Sequence, residues 1–307
     1  MSTHRLAQGP APGAASAPIE PLLHWLLAEC RAAIAAGHRP VLGLNGPVGA
    51  GKTTLSHQLQ QGCARVGLQL AVASIDDAYL PWPERERRLA GNPFGVSRVP
   101  PGSHDPAALL DPIRRWRAVA ADPCRGPAPL TLPRFDKRLR QGAGDRIDDW
   151  NGQADAVLLE GWLLGCRPLA EELLRTGPVR GDRSAAARAW LLRCNRELEC
   201  YQSLWAALDG LLMLWPLNWQ SPRRWRLQAE ARQRRSGGGW MPVADLDRLI
   251  RASLESLPAD LYQQPLLARA AWVRVLDGRR RCTWQGPGDA WIEREAQSSS
   301  PCSSATG

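Results

Sequence analysis

Phenylalanine and tyrosine are nearly missing from this chain, whose 307 residues hold two Phe and three Tyr beside 14 Trp. No function attaches to the tryptophans from sequence alone, and core packing is their expected use. No apolar run approaches the 18 residues that a membrane-spanning helix needs. The first twenty residues lack the apolar stretch of a secretory signal, although their Ser/Ala/Pro-rich composition with one arginine has a faint likeness to an organelle-targeting peptide. The expectation is a soluble, cytoplasmic protein with no membrane partner. Eight cysteines, Cys30, Cys63, Cys124, Cys166, Cys194, Cys200, Cys282 and Cys302, include no C-x-x-C pair. Neither a zinc site nor a disulfide framework is indicated, and buried thiols are expected. No internal repeat is visible. The net charge of +9 permits an acidic metabolite or nucleic acid. Arginines are spread along the chain, clustering only at Arg223–Arg235 and Arg279–Arg281, and a single aromatic, Trp225, lies within these clusters. That pattern disfavours a nucleic-acid partner.

What is present is a glycine loop. Gly46, Pro47, Val48, Gly49, Ala50, Gly51, Lys52 and Thr53 fit G-x-x-x-x-G-K-[ST] without a mismatch, a pattern that chance gives to roughly one per cent of chains this long. Glycines let backbone N–H groups curl around phosphate oxygens, the lysine reaches the β- and γ-phosphates, and the Thr53 hydroxyl suits Mg²⁺. Val41–Asn45 reads as a buried strand entering the loop. Leu55, Leu59, Cys63 and Val66 recur at helical spacing beyond it, until Gly67. The helix aims its positive end at the anion. The loop with Thr54 is therefore the expected site of ATP.

Around the loop, residues 20–37 read as a helix, 68–75 as a second strand and 81–106 as a long Pro/Gly loop whose length implies function. Helices are expected over 107–120, near 222–235 and over 242–256. Strands are expected at 155–159, at 208–214 and, last, at 271–276. The fold class is α/β: a parallel sheet with helices on both faces and ligands at the carboxyl ends of its strands. The expected organisation is one domain over 21–296, a flexible stretch over 1–20 and a disordered tail over 297–307. Carboxylates close two strands, Asp76 and Asp77 after one and Glu160 after another. Phosphoryl transfer needs a metal partner and a group that takes or orients the acceptor's proton.

Those residues sit in a series that resembles the plant and cyanobacterial type of D-glycerate 3-kinase, a relative of uridine kinase, pantothenate kinase and phosphoribulokinase. The series is Ser74-Ile75-Asp76-Asp77-Ala78-Tyr79-Leu80, Asn92-Pro93, Pro101-Gly102-Ser103-His104-Asp105, Pro133-Arg134-Phe135-Asp136-Lys137, Gly144-Asp145-Arg146, Leu159-Glu160-Gly161-Trp162 and Trp225-Arg226-Leu227-Gln228-Ala229-Glu230. The resemblance spans about residues 40 to 265. It implies transfer of the ATP γ-phosphoryl to the 3-hydroxyl of D-glycerate, a small hydroxy acid, as in photorespiratory salvage. It implies that Asp76 is the catalytic base, that Asp77 supports it or the metal, and that Glu160 stands on the metal side beside Thr53. Tyr79, His104, Arg134, Lys137 and Arg146 become candidates for holding the substrate, and Arg226, Gln228 and Glu230 for a lid over about 222–241.

Each role has a plainer alternative. His104-Asp105-Pro106 can be a turn and helix cap. Arg134 and Lys137 can belong to a solvated loop, and Arg226 and Glu230 can be an i,i+4 pair on an exposed helix face. The chain departs from the family pattern at Ala78, where Phe is usual, at Val99, where glycine is common, at Phe135, where Tyr is common, and at Gly237–Gly239, which lack a lysine before Trp240-Met241. These positions touch the acceptor pocket and the lid, so pantothenate, uridine and ribulose 5-phosphate remain alternative acceptors. A basic P-loop ATPase acting as a switch on nucleic acid or protein is the rival from another class.

Overall fold

A computed structural model describes residues 16–122, 126–176, 184–235 and 241–299. Helix α1 (Glu20–Ala35) precedes β1 (Val41–Asn45), which enters the glycine loop, and α2 (Lys52–Ala64) leaves it. Strand β2 (Leu70–Ser74) ends in a 3-10 turn, Ile75–Ala78, and α3 (Trp82–Arg88) and α4 (Ala107–Ala118) follow. The middle of the chain forms β3 (Ala128–Asp136), β4 (Asp145–Ala154), β5 (Ala156–Gly161), α5 (Glu171–Thr176), α6 (Ala185–Glu197), a 3-10 turn at Leu198–Tyr201, and α7 (Gln202–Trp205). Strand β6 (Gly210–Pro216), α8 (Ser221–Arg235), α9 (Val243–Ser256), α10 (Ala259–Tyr262), β7 (Trp272–Leu276), β8 (Cys282–Gly286) and α11 (Gly288–Ser299) complete it.

The main sheet has the order β2-β5-β1-β6-β7-β8. Its first five strands are parallel, and β8 returns antiparallel to β7. Strands covered on both faces need continuous apolar runs, and every residue of β1 and β5 is buried. One face is covered by Leu22, Leu26 and Cys30 of α1 and Leu55, Leu59 and Cys63 of α2. The other carries Leu109, Ile113 and Trp116 of α4 and Trp190, Leu191 and Cys194 of α6. Half of the tryptophans are core residues as expected: Trp116, Trp162, Trp190, Trp205, Trp215, Trp225 and Trp291 are buried. Four of these indoles donate hydrogen bonds, Trp116 to Ala154 O, Trp190 to Ser256 Oγ, Trp205 to Cys166 O and Trp225 to Gly278 O. Cys30, Cys63, Cys166, Cys194 and Cys282 are buried thiols and Cys200 is exposed. Cys124 and Cys302 lie outside the described residues.

Several expectations need correcting. The 81–106 loop contains α3, whose buried Arg85 holds it together (below). Residues 128–154 form an antiparallel ribbon, β3 on β4, which lies outside the main sheet. Strand β7 is not the last, since β8 pairs with it. Val66 falls past the end of α2 and is exposed, while Gly67 takes φ +79° as the chain leaves the helix. Helix α11 runs through 297–299, where a tail was expected, and residues 16–18 are bonded to β7 and β8 rather than loose. The remaining parts of the expected flexible ends, 1–15 and 300–307, lie outside the described residues, as do Gly237, Gly238, Gly239 and Trp240 of the lid stretch. No described helix is long and apolar enough to cross a membrane.

Candidate active site

The glycine loop spans the carboxyl end of β1 and the start of α2. Gly49 and Gly51 adopt φ +83° and +97°, a region that L side chains rarely enter. Gly49 faces a second demand, because a Cβ there would lie 2.7 Å from the Arg226 amide nitrogen of α8. Lys52 Nζ donates to Gly46 O (2.8 Å) and Pro47 O (3.2 Å), across the mouth of the loop. Burial pushes its pKa down, opposed by Glu160 and Asp76, so the ammonium stands among the carboxylates of the site. Thr53 Oγ1 donates to Glu160 Oε1 at 2.8 Å, and Ser56 Oγ approaches Glu160 Oε2 at 3.3 Å. Ser56, one helical turn past Thr53, belongs to no family motif and is a member of the site that sequence reasoning missed.

Strand β2 delivers Asp76 to the same cleft, a space of about 770 Å³ whose lining includes Gly49, Lys52, Thr53, Asp76, Lys137 and Glu160. Lys137, from the tip of the β3–β4 ribbon, is 2.5 Å from Asp76 Oδ2, and His104 Nε2 is 3.8 Å from Oδ1. Burial drives the Asp76 carboxyl upward, but Lys137 and then His104 more than offset it and hold it well below the usual carboxylate range. Tyr79 stacks on the His104 ring with centroids 4.3 Å apart, and its buried hydroxyl has no hydrogen-bond partner. Arg85 explains how the distant pieces meet. Its guanidinium is buried and donates to Leu80 O, Ser97 O, Ala143 O and Gly144 O, with the Phe135 ring 4.8 Å away. One side chain thus ties the 81–106 segment to the ribbon tip.

The structure does not bring every expected residue to the cleft. Asp77 turns back to close a capping box, accepting from Ser74 N at 2.9 Å and from the Phe135 amide. Its carboxylate serves the backbone rather than a metal, and burial raises its pKa to about 6. Arg134 sits on the exposed side of β3, since side chains alternate along a strand and Phe135 takes the inner face. Arg146 donates to Tyr79 O at 2.8 Å and pairs with Asp105 at 3.5 Å, which makes it a brace behind the cleft. Gln228 is exposed and outside the cleft lining. Arg226 does line the cleft, paired with Glu230 at 3.0 Å, and buried Glu230 also accepts from Met241 N at 2.7 Å. The base of α8 is no free lid, because Trp225 is fully buried and Gly49 leaves no gap beneath Arg226.

Two further cleft features escaped the sequence. Arg98 is 6% exposed, lines the cleft and donates to Gly142 O. Val99 stands at φ +96°, a strained value for a β-branched residue, at the position where glycine was expected. Only the length of the 81–106 loop hinted at either. A second cleft of about 310 Å³ opens on the other side of the glycine loop, lined by Ala50, Gly51, Thr54, Gln58 and Arg280 among others. Arg280 NH1 is 3.3 Å from Gly49 O.

A glycine loop at the end of a central parallel strand, a Thr–Glu oxygen pair beneath it and a carboxylate facing its lysine define a P-loop kinase. Comparison with known proteins agrees. No family model matches the chain. It is 28% identical over 233 residues to the chloroplastic D-glycerate 3-kinase of Arabidopsis thaliana, covering 72% of this chain and 47% of that protein. It is 30% identical over 199 residues to the uncharacterized kinase mug58 of Schizosaccharomyces pombe, covering 62% and 69%. A third relative is the probable ATP-dependent kinase TDA10 of Saccharomyces cerevisiae, 29% identical over 149 residues, 45% of this chain and 50% of that one. The chain thus spans about half the length of the Arabidopsis and Saccharomyces relatives. Among solved structures, a D-glycerate 3-kinase from Cryptococcus neoformans superposes with TM-score 0.71 at 22% identity, over 87% of this chain and 99% of that one. The YGR205w protein gives 0.68 at 22% identity, over 87% and 95%. At such identities the two structures speak for the fold.

The chain belongs to the glycerate 3-kinase-like P-loop kinases.

Proposed function

We propose that the acceptor is a hydroxy acid, D-glycerate, phosphorylated at its 3-hydroxyl. The observation that carries this reading is the Asp76 carboxylate, held ionised between Lys137 and His104 in the cleft it shares with Lys52. Asp76 takes the hydroxyl proton as the acceptor oxygen bonds to the γ-phosphorus and the bond to the β-phosphate oxygen breaks, releasing ADP. Lys52 and Arg226 stabilise the charge that develops on the transferring group. Arg98 and Lys137 hold the acceptor's carboxylate, a reading supported by their lining the cleft, which Arg134 and Arg146 do not line. The nucleoside fits the smaller cleft beside Thr54 and Arg280.

The donors suit Mg²⁺. Thr53 and Glu160 offer hard oxygens, and the described residues contain no group of three or more His, Cys, Asp or Glu side chains that could cage a metal unaided. That is the usual situation of a magnesium ion shared with phosphates. Bound there through Thr53 and, by way of water, Glu160, it would neutralise phosphate charge.

A second reading has an observation of its own. Val96, Val99, Trp162, Leu246, Leu249 and Ile250 give the large cleft an apolar wall, which favours a bulkier acid such as pantothenate. ADP release with Mg·ATP and D-glycerate, L-glycerate, pantothenate, uridine or ribulose 5-phosphate separates the readings. Release driven by D-glycerate alone is expected, and release driven only by another acceptor would overturn the choice. Asp76→Asn should leave ATP affinity within about threefold and cut turnover a hundredfold or more. Full activity in that variant would remove Asp76 from its role.

A further inference from the structure

His104 is buried against Asp76, and which of its nitrogens carries the proton decides what it can do there. Tyr201, 97 residues further along the chain, is fully buried with its hydroxyl 2.8 Å from His104 Nδ1. That hydroxyl accepts the Gly102 N–H at 3.1 Å, and Nδ1 is the acceptor that the structure offers to its own proton. The neighbouring Ser103 hydroxyl is committed to Pro100 O at 2.6 Å. A neutral imidazole has one donor and one acceptor, so accepting at Nδ1 puts the hydrogen on Nε2. Nε2 is buried, has no hydrogen-bond partner and points toward Asp76 Oδ1 from 3.8 Å. The charged groups facing the ring are Asp76, Lys137 and Arg85, and burial pushes the His104 pKa down, keeping the ring neutral.

We propose that Tyr201 is a positioning residue that holds His104 as its Nε2–H tautomer, so that a proton donor and never a second base faces Asp76 and the reacting hydroxyl. The catalytic consequence rests on the kinase reading above. With the hydrogen on Nε2, the ring can donate to Asp76 Oδ1 or to the acceptor oxygen. With the other tautomer, a lone pair would face the carboxylate and compete for the proton that Asp76 must take.

The tautomer is directly observable. The chain has five histidines, so two-dimensional ¹⁵N–¹H NMR of histidine-labelled protein resolves each ring, and His104→Asn assigns the signal. The wild type is expected to show Nε2–H. Tyr201→Phe, which removes only the hydroxyl, should show Nδ1–H or a mixture, with kcat reduced about tenfold and KM for ATP within about twofold. An Nδ1–H signal in the wild type, or an unchanged Nε2–H signal in Tyr201→Phe, would overturn the proposal. If Tyr201→Phe fails to fold, the wild-type tautomer alone decides. Absence of ADP release with every acceptor would count against the kinase reading and leave the tautomer result standing.

Discussion

The chain has 39 basic residues and only two are lysine, Lys52 in the glycine loop and Lys137 on Asp76. Arginine serves everywhere else, so both lysines stand where a compact, rotatable charge differs from a rigid fork. Lys137→Arg keeps the charge but cannot place one nitrogen on Asp76 while leaving the cleft open. Its kcat is expected to fall tenfold or more with KM for ATP little changed, and wild-type turnover would show that charge alone suffices. Asp77 beside it obeys a different rule. Its pKa is raised to about 6 by burial, so the folded protein binds that proton more tightly than the unfolded chain. Stability from this group is present below about pH 4 and lost as pH rises to about 6, by roughly 3 kcal/mol. Asp77→Asn should flatten that fall in Tm-against-pH profiles while leaving the Mg²⁺ dependence of turnover unchanged. A raised Mg²⁺ requirement would restore Asp77 to the metal. The motif named both aspartates, but it could not say which faces the cleft, because that depends on the 3-10 turn that sends one forward and one back.

At the scale of elements, the glycine loop is fixed by two neighbours at once, its own helix α2 and the base of α8. Gly49→Ala would press a Cβ on the Arg226 backbone at 2.7 Å and place an L residue at φ +83°. The expected result is a loss of about 2 kcal/mol or more in denaturant unfolding together with weakened ATP binding, and an unaffected variant would mean that α8 can lift away. The strand, loop and helix around Lys52 were legible because all their signals lie within some 25 consecutive residues. The β3–β4 ribbon was not. Strand β4, Asp145–Ala154, is polar and mostly exposed or half-buried, so it lacks the apolar alternation that marks a strand. Its partner was noticed only as a Pro-bounded motif. Arg98 and Tyr201 were invisible for a related reason: neither sits in a motif, and each comes to the site only through what another segment places beside it.

Across the whole molecule, the first described residues are tied to the last strands. Arg274 of β7 is 8% exposed and donates to Ala17 O, Pro18 O and Gln285 Oε1, while Ala17 N donates to Cys282 O. Arg274→Ala would remove three part-buried hydrogen bonds, although Pro18 O keeps the Gln285 Nε2 donor, and is expected to cost about 1 to 2 kcal/mol in urea unfolding; a loss under about 0.5 kcal/mol would mean that residues 16–18 are held by other contacts. The sequence by itself determined the α/β class, the phosphate loop, the acidic strand ends and the membership of a kinase family, because each is written in short runs of residues that are legible one at a time. The tertiary structure alone decided the sheet order, the opposite orientations of Asp76 and Asp77, the turning of Arg134 and Gln228 away from the cleft, and the pairing of Tyr201 with His104. Those depend on which face of a strand or turn meets the interior, and that is settled only when distant segments compete for the same buried space.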